Sequence, residues 1–303
     1  MQRVVIHEVG PRDGLQMEKD PPATARKEEW IRGVMAAGVD IVQVGSFVLP
    51  EKVPQMADTD ELFRRLTRDK RSSVVLSGLV LNEKGLERGL ACGVEMFCMG
   101  ASASETHSRK NSGMGTEEAT ARMVAAATQA VAAGKRVQVS VQSAFGCGFE
   151  GPVREERVLG MVRAYLDAGL RSISLADTAG HANPAQVERL FGEVLRLEPD
   201  IEGTCHFHNT YGLGMANIFA ALRAGVTSVE TSFGGLGGCP FTKVAAGNVA
   251  TEDVVHALQR QGARQDVDLG RLIAVARCVA EYFGRDLPGY VYKTGPVPAK
   301  GAA

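Results

Sequence analysis

Val4-Val5-Ile6-His7-Glu8-Val9-Gly10-Pro11-Arg12-Asp13 sets the pattern from which the fold is read. The run of β-branched residues predicts a strand, and proline ends ladder pairing, so Arg12 and Asp13 fall just past the strand end. Thr24 then offers a helix N-cap, and Trp30, Ile31, Val34 and Met35 recur at helical spacing up to Gly38. The same unit repeats down the chain. Strands are expected at 40–46, 73–81, 94–99, 136–143, 172–175, 201–208 and 226–232. Helices are expected near 53–66, 83–92, 116–133, 154–168, 184–197, 211–224 and 251–258, and 101–115 reads as a long polar loop. Glycines at Ala37-Gly38, Cys92-Gly93, Ala133-Gly134, Ala168-Gly169 and Ala224-Gly225 mark the helix stops.

Eight strand–helix alternations without a break in composition point to a (β/α)8 TIM barrel, a single catalytic domain over residues 1–285 with an extra C-terminal helix at 269–285. Residues 286–303, rich in Gly, Pro and Ala, read as a loose tail. An open doubly wound sheet would also alternate, but it carries a Gly-rich phosphate loop after the first strand, and Gly10-Pro11-Arg12-Asp13-Gly14 is not one.

The 303 residues carry 34 basic and 35 acidic side chains, a formal charge of −1. That balance gives no electrostatic reason to expect nucleic acid or an anionic membrane as partner. No apolar run is long enough to span a bilayer, and the first residues lead into a strand instead of a cleavable signal, which implies a cytoplasmic protein. Cys92, Cys98, Cys147, Cys205, Cys239 and Cys278 form no C-x-x-C pair, which argues against a structural zinc site or a disulfide scaffold.

A barrel of this kind places its chemistry at the carboxyl ends of the strands. His206-Phe207-His208 ends the seventh strand with both imidazoles on one face, an arrangement that suits two core histidines or half of a metal site. Arg12 and Asp13, Gln43 and Ser46, Ser143, Asp177 and Thr178 arrive at the same mouth, and Gly234 to Pro240 follows the eighth strand. Two histidines, a carboxylate and an amide such as Asn248 make a mixed N/O set suited to Mg²⁺ or Mn²⁺, and Zn²⁺ would fit as well. Cys239, after a flexible Gly-Gly-x-Gly-Gly, suits a conditional acid better than a ligand. Asp177-Thr178 also fits a helix-start cap, and Arg12-Asp13 also fits a surface pair.

Val9-Gly10-Pro11-Arg12-Asp13-Gly14-Leu15-Gln16, Ser46-Phe47-Val48 through Asp58, Asp177-Thr178-x-Gly180, the His-x-His stretch, Gly235 to Pro240 and Gly247 to Asp253 together resemble the 3-hydroxy-3-methylglutaryl-CoA lyase family over residues 3 to 285. The resemblance implies a carbon–carbon lyase that cleaves a 3-hydroxy-3-carboxymethyl acyl-CoA to acetyl-CoA and a keto acid. It implies Asp13, His206, His208 and Asn248 as ligands of a divalent metal, Arg12 as the catalytic arginine and Cys239 as a loop acid. Asp177 is the expected proton-transfer group, and Glu252 is expected to orient a ligand. Gln16, Gln43, Ser46, Thr178, Lys110 and Asn111 are expected to bind substrate, Lys110 and Asn111 being the candidates for the CoA moiety. Family members often form homodimers or larger homo-oligomers. Departures cluster around the acyl group: Gln43 stands where the family usually has glutamate, Gln138 and Ser140 where arginine and tyrosine are expected, and Ser143 where cysteine is common. A related substrate, such as a citramalyl-CoA or a longer branched homologue, or a metal-dependent condensation or aldol reaction, is the alternative.

Overall fold

A computed structural model describes residues 3–68, 70, 72–238 and 247–298. Eight parallel strands close into one barrel: β1 (Val5–Glu8), β2 (Ile41–Ser46), β3 (Val75–Leu79), β4 (Met96–Ser102), β5 (Arg136–Gln142), β6 (Ser172–Asp177), β7 (Glu202–Phe207) and β8 (Ser228–Thr231). Closure is made by β1 against β8, with Val5 opposite Ser228 and Glu8 opposite Thr231. The surrounding helices are α1 (Thr24–Ala37), α2 (Thr59–Arg68), α3 (Glu83–Cys92), α4 (Glu105–Ser112), α5 (Thr116–Ala132), α6 (Glu155–Asp167), α7 (Pro184–Leu197), α8 (Gly214–Arg223), α9 (Thr251–Arg260), α10 (Leu269–Phe283) and α11 (Val291–Thr294).

Side chains alternate across each strand, so one set fills the barrel axis and the other meets the helices. Trp30, Phe63, Phe97, Tyr165 and Phe191 are all buried and lie in the core or the helix layer. Each fully buried side chain of this kind contributes about 1.5–3 kcal/mol relative to exposure. Gly38 and Gly93 end α1 and α3 at φ +90°, the left-handed stop that their positions in the sequence imply.

Three expectations change. The segment 53–66 is not one helix: Pro54 opens a separate short turn, Pro54–Met56, and α2 starts only at Thr59. The expected loop 101–115 is largely ordered, with β4 running to Ser102 and α4 following. Ser104 caps α4 by accepting a hydrogen bond from the His107 N–H at 3.1 Å, which offsets the weak helix propensity of its Ser and Asn residues. The expected loose tail is also folded in part. Leu287 is 1 % exposed, Val291 and Tyr292 are buried, and the Asp253 carboxylate accepts from the N–H groups of Tyr290 and Val291. A few apolar anchors hold a Gly- and Pro-rich segment that composition alone reads as loose.

Candidate metal centre and active site

Past β1 the chain turns through a short helical segment, Gly10–Gly14, which carries Arg12 and Asp13 to the barrel mouth. Across the barrel, His206 lies at the end of β7, and His208 pairs through its backbone with Asn248, which lies just before α9. These segments bring Asp13, His206 and His208 together, all buried, with their ligating atoms within 4.8 Å of one another. The two Nε2 atoms are 3.1 Å apart, and Asp13 Oδ2 lies 3.6 Å from His208 Nε2 and 3.9 Å from that of His206. Asn248 Nδ2 donates to Asp13 Oδ2 at 2.8 Å, and its buried Oδ1 has no hydrogen-bond partner among the described residues.

Those observations fit a divalent ion. Adjacent ligands about 2.1 Å from an octahedral ion stand about 3.0 Å apart, close to the Nε2–Nε2 separation. His206 Nδ1 lies 2.8 Å from Glu230 Oε2, and a ring that donates there and ligates an ion turns its Nε2 lone pair toward its neighbour. Two such lone pairs and an orphaned amide oxygen around a carboxylate form an electron-rich pocket suited to a cation. Burial alone would raise the Asp13 pKa, but the Arg12 guanidinium and the two imidazoles hold it well below the usual carboxylate range. Glu230 behaves alike: burial is outweighed by the hydrogen bonds from His206 and His7, and its carboxyl titrates well below normal.

The centre opens into a cavity of about 450 Å³. Gln16, Gln43, Ser46, Asn111 and Thr178 line it, as do Gln138 and Ser140. Gln43 Oε1 accepts from Arg12 Nε, so this amide orients the guanidinium, and Arg12 also pairs with Asp13. Gln16 donates to Asp13 Oδ1 at 3.0 Å, and Gln138 donates to Glu230. Gly100 leaves room for Ser140: a Cβ there would lie 2.0 Å from the serine hydroxyl.

Other expected residues lie elsewhere. Asp177, the last residue of β6, is fully buried and is not among the residues lining the cavity, whereas Ala176 and Thr178 on either side of it are. Its carboxylate accepts from the N–H groups of His181 and Ala182 at 2.8 and 3.0 Å, the contacts of a backbone cap. Glu252 does not reach a ligand; its Oε2 accepts from the Gly234 N–H at 3.1 Å and holds the turn Phe233–Gly235. Lys110 is exposed on α4 with its ammonium 4.6 Å from the Phe149 ring centroid, outside the cavity lining. Thr178 Oγ1 accepts from the N–H of Ser143, a non-glycine residue at φ +54°. Cys239 lies outside the described residues.

Glu230, His7 and His107 are not marked by a place past a strand end. His7 and Glu230 sit within strands, pointing to the axis. The signal for Glu230 is the two-residue period Ser228, Glu230, Ser232, which puts a carboxylate on the inner face. His107, on α4, is 5 % exposed and lines the cavity, and burial lowers its pKa.

The HMGL-like family model matches residues 3–279. A hydroxymethylglutaryl-CoA lyase of Bacillus subtilis is 37 % identical over 287 residues, covering 95 % of each chain. The (R)-citramalyl-CoA lyase of Chloroflexus aurantiacus is 39 % identical over 305 residues, covering 98 % of this chain and 96 % of that one. The structure of an HMG-CoA lyase from Acinetobacter baumannii in complex with coenzyme A and 3-methylmalate superposes with a TM-score of 0.91 at 36 % identity, covering 98 % of both chains.

Proposed function

The chain belongs to the HMGL-like family, and we propose that it is a divalent-metal-dependent carbon–carbon lyase acting on a 3-hydroxy-3-carboxymethyl acyl-CoA. The substrate that fits the family best is 3-hydroxy-3-methylglutaryl-CoA, split into acetyl-CoA and acetoacetate. The observation that carries the reading is the convergence at the head of one cavity of Asp13, His206 and His208 with Asn248, whose Oδ1 has no hydrogen-bond partner among the described residues.

These four residues would hold a divalent ion, Mg²⁺ or Mn²⁺ by their donor set, which would supply Lewis-acid chemistry to the substrate. The chain supplies the rest. The tertiary hydroxyl must lose its proton. Among the described residues that line the cavity, Asp13 and the two ligand histidines are committed, Glu230 is engaged by His206 and Gln138, and burial pushes the Cys98 thiol up to about 12. His107, buried in the cavity wall, is the proposed acceptor, and burial lowers the pKa of its imidazole. As the C–C bond breaks, Arg12, held in place by Gln43, stabilises the enolate oxygen of the acetyl-CoA fragment. Cys239 then protonates the enolate carbon. Asn111 at the rim and Lys110 beside it on α4 are the candidates for the CoA moiety.

Gln43, Gln138, Ser140 and Ser174 add uncharged polar groups to a lining that also carries Arg12, Asp13 and Glu230. That lining, with the 39 % identity to a citramalyl-CoA lyase, supports citramalyl-CoA as the second reading. The test is a panel of both thioesters and longer branched homologues on EDTA-treated protein, with Mg²⁺ or Mn²⁺ restored. The expected result is no turnover without metal and the highest kcat/KM on methylglutaryl-CoA. A higher value on citramalyl-CoA selects the second reading, and metal-independent turnover, or none on any thioester, sinks both.

A further inference from the structure

Glu8 takes no part in the chemistry above, yet it joins the segments that carry two of the four ligands. Its neighbour His7 points along the barrel axis to Ser77 at 2.9 Å, so Glu8 points outward and is completely buried. One oxygen, Oε1, accepts the N–H of Gly10 at 2.7 Å and the N–H of Phe233 at 3.0 Å. The other accepts the Thr251 hydroxyl at 2.7 Å, which in turn lies 2.8 Å from the Thr231 hydroxyl. Gly10 is the first residue of the turn that presents Arg12 and Asp13, and Thr251 opens α9 three residues after Asn248. The backbone comes so close that a Cβ on Gly10 would lie 2.7 Å from Glu8 Oε1.

We infer that Glu8 is a positioning residue for the metal centre: by holding the Gly10 turn and the start of α9 on one carboxyl group, it sets the Asp13–Asn248 approach on which ion binding depends. This rests on the reading of those residues as ligands. The contact it governs is the 2.8 Å hydrogen bond between Asn248 Nδ2 and Asp13 Oδ2. Partners of this kind behind metal ligands are worth about 10–100-fold in affinity. Glutamine at this position keeps both N–H groups on its carbonyl oxygen and donates to the Thr251 oxygen, whose hydrogen can turn to Thr231. Alanine leaves the N–H groups of Gly10 and Phe233 without an acceptor and cuts the tie to Thr251, whose hydroxyl keeps only Thr231.

The experiment is Mn²⁺ titration of the metal-stripped full chain by calorimetry, with thermal melts alongside. Glu8→Ala is expected to weaken Mn²⁺ binding at least about tenfold, and Glu8→Gln to restore it to within about threefold of the parent. If Glu8→Ala does not fold, Thr251→Val, which removes only one hydroxyl, carries the test with an expected loss of about fivefold. Unchanged affinity in the folded variant, or an equal loss in Glu8→Gln and Glu8→Ala, overturns the inference. A parent protein that binds no Mn²⁺ would instead sink the reading of the site itself.

Discussion

With the Asp177 carboxylate tied to two backbone N–H groups, the proposed reaction assigns the base to His107. Burial lowers its pKa below the ordinary imidazole value, so the ring accepts a proton near neutral pH without first having to lose one. Replacing His107 with Phe fills similar space and removes the base. The expected effect is a fall in kcat of about 10²-fold or more with Mn²⁺ affinity preserved, together with loss of the acidic limb of the kcat/KM pH profile. Retention of kcat within about twofold would remove His107 from the reaction. Single side chains are also where the sequence is hardest to read. Asp13, His206, His208 and Asn248 are legible because each lies close to a strand end. Glu230 is hidden inside a strand, where only alternation marks it, and Asp177 is misleading because one position of register in β6 decides whether its carboxylate meets the cavity or the helix layer.

Among the elements, the turn Phe233–Gly235 is gripped from both sides, by Glu8 on the Phe233 N–H and by Glu252 on the Gly234 N–H. Burial raises Glu8 to about 7 and Glu252 to about 8. Both groups start from an ordinary value of 4.5, so the folded chain holds protons that the unfolded chain releases. Their contribution is complete below about pH 4.5 and is lost as pH rises through 7 and then 8, each group losing at most about 1.4 kcal/mol for every pH unit between its unfolded and folded values. The melting temperature should therefore fall from about pH 4.5 to about pH 8 and level off above that. Glu252→Gln retains an acceptor for Gly234 but cannot ionise; it should melt near the parent at pH 5 and higher by about 5 °C at pH 9. Parallel melting curves for the two proteins across that range would show that Glu252 does not titrate there. Neither glutamate announces this in the sequence, since each becomes a buried acid only when β1, α9 and the turn meet. The helix α4 escapes a sequence reading for a related reason: its residues have weak helix propensity, and the Ser104 cap and packing against the barrel decide the outcome.

For the whole molecule, the closed barrel could be read from the eightfold repeat, because parallel strands joined by helices have few other ways to bury both faces of the sheet. Where the chain stops contributing could not be read that way. Beyond α10, Leu287 inserts beneath the turn after β8, and a Cβ on Gly234, itself at φ +64°, would lie 2.3 Å from Leu287 Cδ1. The Gly289 N–H donates to the Gly234 carbonyl at 2.9 Å, and the Leu287 N–H to the Tyr292 hydroxyl at 2.7 Å. The same turn thus rests on Glu8 and Glu252 from within and on residues 287–289 from below, so the C-terminal segment belongs to the structure that supports the site. Leu287→Ala should cost about 2–5 kcal/mol, because the fully buried side chain leaves a void that the glycine backbone around it cannot close without strain. The check is a urea or guanidinium unfolding curve. A lower midpoint with an unchanged slope is expected, and a chain ended at residue 285 should lose at least as much. If Leu287→Ala unfolds within about 0.5 kcal/mol of the parent, the segment is an ornament to the barrel and the turn is held by the two glutamates alone.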